Sequence, residues 1–366
     1  MTPRDYQKKF VNDIIRKIGE GYTRICAQMS TGSGKTISFA YFLTRYLAKF
    51  PTHSIVILVH REELQFQTEK TLKAVGINNV SCQMVKTFIN RAKKELKHYD
   101  LILIDEAHTG EHKKVFDHYS DNVIIGFTAT PITSTKKDPL KNYYQTIVQG
   151  VGIQELISLG YLTPPIHYSA KNSVDKKALK RSGDDYTLQS LSIEYSKPKL
   201  ITAVVDAYEK YAKGRKTLVF NTTIEHARLV DAEFKSRGYN SRSLNEEDRR
   251  ESLVWLKETP DAILNNVSIL TTGFDETSIE TIIFNRCTKS TPLWLQCCGR
   301  GGRLHPGKEY FTIIDMGDNI KGEAHDYWNA KRDWVYQCTY PEIPGEGPPP
   351  MKECPNEECG SLIFMS

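Results

Sequence analysis

The chain has 366 residues, 39% hydrophobic and 25% charged, a globular balance that suits two domains with a core each. A net charge of +5 permits a polyanionic partner without requiring one, and no run of about 18 apolar residues is present to cross a membrane. The opening MTPRDYQKKF lacks the apolar region of a secretory signal, and eight cysteines, mostly in apolar segments, fit a reducing compartment better than a disulfide framework, so a soluble intracellular α/β protein is expected.

In chain order, strands are expected at TRICAQ (23–28), SIVILVH (54–60), LILID (101–105) and VIIGFTA (123–129). Each is apolar or β-branched throughout, as in a parallel sheet covered on both faces. After the first comes KTISFAYFLTRYLAKF, whose Ile37, Phe39, Ala40, Phe42, Leu43, Tyr46 and Leu47 make one broad helical face. The second half repeats the alternation with KTLVFN (216–221), VSILTT (267–272), ETIIFN (280–285) and YFTIID (310–315). Residues 162–199 are polar, and KKALKRSGDD (176–185) is expected to be a mobile solvated loop. Two α/β lobes divided near GYLTPP, at 1–160 and 161–335, follow from this pattern. The remaining residues, 336–366, are rich in Pro and Gly and read as a linker into something small.

The stretch QMSTGSGKT (28–36) falls between a strand and an amphipathic helix. The G-x-x-x-x-G-K-[ST] pattern would need Gly at position 29, which is Met29, but Thr31, Gly32, Ser33, Gly34, Lys35 and Thr36 keep the chemistry of a phosphate cradle. Glycines turn backbone N–H groups inward, the helix N-terminus adds positive charge, Lys35 would reach phosphates and Thr36 would ligate Mg²⁺. An exposed Gly/Ser turn is the competing reading. Asp105 and Glu106 in LILIDEAH add a carboxylate pair at the carboxyl end of a buried strand, where open α/β sheets bind ligands. A nucleoside triphosphatase needs one carboxylate on Mg²⁺, here Asp105, and one to orient and deprotonate water, here Glu106. Gln296, Arg300 and Arg303 of QCCGRGGR are spaced i, i+4, i+7 and would share one helical face, with Ser290 or Thr291 as cap and Pro292 in the first turn. Gly299, Gly301 and Gly302 each weaken a helix by roughly 1 kcal/mol against Ala, so a close backbone approach is expected there. A solvated basic face is the alternative to arginine fingers acting on a γ-phosphoryl group.

These motifs resemble those of superfamily 2 helicases of the DEAH/DEAD type, in that family's order over about residues 2–308, and are most similar to RadD-like DNA repair ATPases and their phage relatives. PRDYQ is similar to the adenine-reading element, STGSGKT to motif I, LVHREEL to Ia, QMVKTF to Ib, DEAH to II and FTATP to III. LVFNTTIEHA, ILTTGFD and QCCGRGGR are similar to motifs IV, V and VI. The resemblance implies two tandem RecA-like lobes with ATP and Mg²⁺ between them. Arg4, Tyr6 and Gln7 would read adenine, and Gly273 and Asp275 would face the nucleotide from the second lobe. His108, Thr128 and Thr130 would couple the cleft to nucleic acid, although each also reads as a polar core group. Arg61, Lys86, Thr87, Thr222, Thr271 and Thr272 would contact the strand backbone.

Cys354 and Cys359 resemble half of a zinc ribbon, with Cys338 and a histidine as conceivable completing ligands and free reduced thiols as the other reading. Cys297 and Cys298 read as packing residues. The expected protein is a DNA helicase or translocase of repair, recombination or replication, a monomeric motor preferring DNA to RNA, cytoplasmic and of bacterial or phage type. An annealing or remodelling factor with ATP-controlled conformation, and the motor of a restriction or defence complex, stand as alternatives.

Overall fold

The computed structural model describes residues 2–95, 97–133, 138–170, 174–245, 247–267, 276–334, 351–353 and 362–364. The chain divides into two compact units: residues 1–153 with 331–342, and 154–330 with 343–366. Among the described residues no helix is long and apolar enough to cross a membrane.

Unit 1 runs α1 (Asp5–Gly19), β1 (Arg24–Gln28), α2 (Lys35–Lys49), β2 (Ile55–Val59), α3 (Glu62–Ala74), β3 (Ser81–Met84), α4 (Val85–Ala92), β4 (Leu101–Asp105), α5 (Lys113–His118), β5 (Val123–Thr128) and β6 (Thr146–Gln149). Its strands form one parallel sheet in the order β3-β2-β4-β5-β1-β6. The period-two rule sorts their side chains between two cores. Ile55, Ile57, Val59, Leu101 and Leu103 join Phe10, Val11 and Ile14 of α1 and Phe39, Phe42 and Leu43 of α2. Val56, Leu58, Ile102 and Ile104 face the other way, onto Val85, Phe88 and Ile89 of α4 and Val115 and Phe116 of α5. Both faces are covered, so the central strands β2 and β4 are apolar almost throughout.

Unit 2 begins within α6 (Ile153–Ser158) and continues through β7 (Pro165–Ser169), the small hairpin β8 (Arg181–Ser182) and β9 (Asp185–Tyr186), α7 (Leu188–Tyr195) and α8 (Pro198–Tyr211). Then come β10 (Thr217–Phe220), α9 (Ile224–Ser236), β11 (Ser241–Ser243), α10 (Arg249–Glu258), β12 (Ile263–Asn266), β13 (Thr281–Phe284), α11 (Thr291–Cys298) and β14 (Phe311–Asp315). The parallel order is β11-β12-β10-β13-β14-β7. Val219, Ile263, Ile283 and Ile314 meet α8 and α9 on one face. On the other, Phe284 stacks edge-on against Trp294 of α11 and Phe311 against Trp328. A last antiparallel pair, β15 (Met351–Glu353) and β16 (Leu362–Phe364), closes the described chain.

One expectation is corrected here. The basic run 176–185 is docked rather than mobile: Lys176 Nζ lies 2.9 Å from Asp318, and Leu179 and Tyr186 are buried with Leu191, Tyr195 and Cys287. Leu179 within the run and Tyr186 just after it anchor the segment, while most of its charged side chains stay exposed. In the second lobe the strand beside β10 is Ile263–Asn266, and most of the expected strand 267–272 lies outside the described residues.

Candidate functional site

In unit 1, β4, β5 and β1 are adjacent, so the loops leaving their carboxyl ends meet. β1 runs through the STGSGKT loop into α2, whose first residue is Lys35 and second Thr36. Gly34 stands at φ 77° as the residue before the helix, and a Cβ there would lie 2.6 Å from Gln7 Nε2. Only glycine serves that position. Gln7 Nε2 donates to the Ser33 and Gly34 carbonyls at 3.1 and 3.3 Å, and the Tyr6 hydroxyl donates to Ser33 O at 2.7 Å. Arg4 N–H in turn donates to Gln7 Oε1 at 2.8 Å. The element expected to read adenine thus braces the loop from α1. The Ser33 hydroxyl is buried and bonds to nothing among the described residues.

Lys35 Nζ lies 2.7 Å from Asp105 Oδ1 and 2.7 Å from Glu106 Oε1. Burial alone would lower the Lys35 ammonium, but the two carboxylates outweigh it and hold the group above its ordinary range. Burial would likewise raise Glu106, yet Lys35 and then His108 hold its carboxyl below the usual range, so Glu106 is ionised at neutral pH. Glu106 takes φ 51°, rare for a residue with a side chain, just after β4, and its N–H donates to Asp105 Oδ1 at 3.0 Å. Thr36 hydroxyl and Asp105 carboxylate are hard oxygen donors, which suit Mg²⁺ with water and phosphate completing the shell. With the orphaned Ser33 hydroxyl in the loop, the residues present fit a Mg²⁺-bound nucleotide.

His108 Nδ1 is 3.0 Å from Thr128 Oγ1 and 3.4 Å from Glu106 Oε2, and burial holds the ring below its ordinary pKa. Thr128 Oγ1 donates to Thr130 O and accepts from Thr130 N–H, both at 3.1 Å. The structure therefore joins all three expected coupling residues to the carboxylate pair. His60, within LVHREEL, joins this network: its Nε2 lies 2.6 Å from Thr109 Oγ1, bridging that segment to the one after DEAH. A histidine beside the exposed Arg61 was the available signal.

Arg61 is exposed at the start of α3, and Lys86 and Thr87 are exposed in the first turn of α4. Thr222 differs. It is fully buried, with its hydroxyl 2.9 Å from His226 Nδ1, so its side chain offers no surface to a strand. The expected contact through Thr222 is corrected accordingly. Thr271, Thr272, Gly273, Asp275, Cys354 and Cys359 lie outside the described residues.

In unit 2, Ser290 caps α11 by accepting from Leu293 N–H at 3.3 Å, with Pro292 in the first turn. The helix stops at Cys298, so Gln296 lies on it while Arg300 and Arg303 follow in turns, rather than all three sharing a helical face. The glycines give the reason. A Cβ on Gly301 would come 2.2 Å from Phe311 Cδ2, and one on Gly302 2.3 Å from Trp328 Cη2. The backbone is pressed onto buried rings where a side chain would collide. Arg300 is 8% exposed, so the packed loop takes most of that arginine out of solvent.

Two family models match the chain. "Type III restriction enzyme, res subunit" covers residues 1–96 and 80–133, and "Helicase conserved C-terminal domain" covers residues 196–305. The chain is similar to "Putative ATP-dependent helicase IRC3" of Saccharomyces cerevisiae, 29% identical over 352 residues, 86% of this chain and 51% of that protein. It is also similar to a "51.5 kDa protein" of a Lactococcus phage, 29% identical over 316 residues, 84% of this chain and 68% of that one. Among solved structures, "ATP-dependent Type ISP restriction-modification enzyme LlaBIII bound to DNA" aligns with TM-score 0.62 and 18% identity, covering 86% of this chain and 28% of that one. The chain thus spans about half the length of the yeast relative.

Proposed function

Because the chain belongs to the superfamily 2 helicase-type family, we propose that it is a nucleic-acid-stimulated ATPase acting as a DNA helicase or translocase in repair, recombination or replication. The observation that carries this reading is the Lys35 ammonium held 2.7 Å from both Asp105 and Glu106, at the mouth of a strand–loop–helix phosphate cradle.

Lys35 exchanges its carboxylate partners for phosphate oxygens when nucleotide enters. Thr36 and Asp105 would hold Mg²⁺, which would supply positive charge to the phosphate groups. Glu106, ionised and beside the cradle, orients the attacking water and takes its proton. Tyr6 and Gln7, already fixed to the loop carbonyls, brace the cradle beneath the base. Arg300 and Arg303 are the arginine fingers of this reading, and Gln296, Gly273 and Asp275 are its further nucleotide residues. His108, Thr128 and Thr130 pass the state of the phosphate site toward the strand-binding surface. Arg61, Lys86, Thr87, Thr271 and Thr272 grip the nucleic-acid backbone, DNA in preference to RNA, with the chain working as a monomer.

A second reading, the motor of a restriction or defence complex, is favoured by the match to the type III restriction subunit model. Steady-state ATPase with and without single- and double-stranded DNA or RNA, followed by strand displacement, separates the readings. DNA-stimulated turnover abolished by Glu106→Gln, with ATP binding retained, is expected. Full turnover in that variant would remove the mechanism. Stimulated turnover without displacement would favour the motor or remodelling reading over a helicase.

A further inference from the structure

Two residues outside the named motifs hold the arginine loop. Thr163, in the GYLTPP connector, is 1% exposed; its N–H donates to Gly302 O at 2.9 Å and its hydroxyl to Arg303 O at 3.0 Å. Those two carbonyls belong to the peptide planes on either side of the Arg303 Cα. Fixing both planes fixes the direction in which the Arg303 side chain leaves the backbone. The next carbonyl back, Gly301 O, accepts from Lys308 Nζ at 3.1 Å. The same ammonium donates to Thr277 O at 2.7 Å and Ile279 O at 3.0 Å, so its three protons are spent on three carbonyls from two segments. Burial lowers this ammonium to about 8, the environment of a structural cation rather than a solvated one. Thr277 adds a second tie, its hydroxyl 2.9 Å from His305 Nδ1.

Thr163 is itself stiff. It precedes Pro164, which bars it from helical backbone, and Pro164 O accepts from Phe311 N–H at 3.0 Å. Arg300 is held on the other side of the loop, where its own N–H donates to Cys297 O and the Gly301 N–H to Cys298 O, both at 3.2 Å. Every peptide plane flanking the two arginines is therefore bonded.

We propose that Thr163 and Lys308 are positioning residues, which set the loop backbone so that Arg300 and Arg303 can act on the nucleotide. The inference rests on the arginine-finger reading above and assigns the connector a role beyond joining two lobes. A misplacement of about 1 Å at a reacting group costs on the order of a hundredfold in rate, so a partly freed loop should slow turnover without weakening nucleotide binding.

The test is a cycle of Thr163→Val, Arg303→Ala and their double variant, measuring DNA-stimulated kcat, affinity for a fluorescent ATP analogue and thermal midpoint. Thr163→Val keeps the N–H and the shape but removes the hydroxyl bond to Arg303 O. It should lower kcat roughly tenfold or more, leave analogue affinity within about twofold, and be rescued by Thr163→Ser. In the Arg303→Ala background it should add little, since it acts through that arginine. Lys308→Met, read the same way, serves if Thr163→Val fails to fold. Wild-type kcat in Thr163→Val, or a full extra loss on top of Arg303→Ala, overturns the positioning role while leaving the fingers intact. Wild-type kcat in Arg303→Ala itself overturns the finger reading instead.

Discussion

Replacing Lys35 with Met should do more than disarm a phosphate site. It takes away the cation that lies 2.7 Å from both Asp105 and Glu106. Asp105 keeps the Glu106 N–H at 3.0 Å, but Glu106 is left with His108 at 3.4 Å, a ring that burial disfavours as a cation. Breaking a buried ion pair from one side costs about 3–5 kcal/mol. The three side chains retain 16–20% exposure, so solvent screening reduces this to about 2–3 kcal/mol. Lys35→Met/Glu106→Gln should recover at least half of the loss, because the stranded charge is gone. Of the four tryptophans only Trp334 belongs to unit 1, so fluorescence is a poor reporter of this site. Hydrogen exchange by mass spectrometry in urea, read on peptides covering β1, β4 and β5, gives the local stability directly. Wild-type protection in Lys35→Met, or no recovery in the double variant, would refute the charge argument.

Two further outcomes are expected. Gly301→Ala brings a methyl 2.2 Å from the fully buried Phe311 ring, so unit 2 should lose about 1–3 kcal/mol in a urea titration followed by its three tryptophans; an unchanged midpoint would mean the loop is looser than described. His226 is buried and then further disfavoured as a cation by Arg286, which lowers its pKa to about 3. Its folded pKa is below the unfolded value, so its contribution is complete above about pH 6.5 and fades as pH falls, by about 2 kcal/mol at pH 5. Unfolding of His226→Gln should show that much less acid sensitivity between pH 7.5 and 5, and an identical slope would contradict the assignment.

The central strands were legible because a strand covered on both faces is apolar at every position, as in IVILV and TIIF. Four of the strands that sequence pattern does not mark, SCQM, TIVQ, PIHYS and SRS, are the four edges of the two six-stranded sheets. Edges bury less and carry more polar residues, so no periodicity marks them. ILNN was hidden for another reason: Asn265 and Asn266 are buried in a hydrogen-bonded set, Asn265 with Asn221 and Ser241, Asn266 with Val219 O. Local chemistry was readable at Lys35, Asp105 and Glu106 because spacing along one strand or loop decides it. QCCGRGGR does not form the single helix its spacing suggests, because the close approach of Gly301 and Gly302 to Phe311 and Trp328 is a contact across the fold, which spacing does not encode. Thr163 and Lys308 were invisible on the same ground, since what they bond is backbone.

Single-turnover ATP hydrolysis by Arg303→Ala, beside equilibrium binding of the same nucleotide, tests the central claim most directly. The account predicts a rate lower by on the order of a thousandfold with affinity nearly unchanged. An undiminished rate would contradict it.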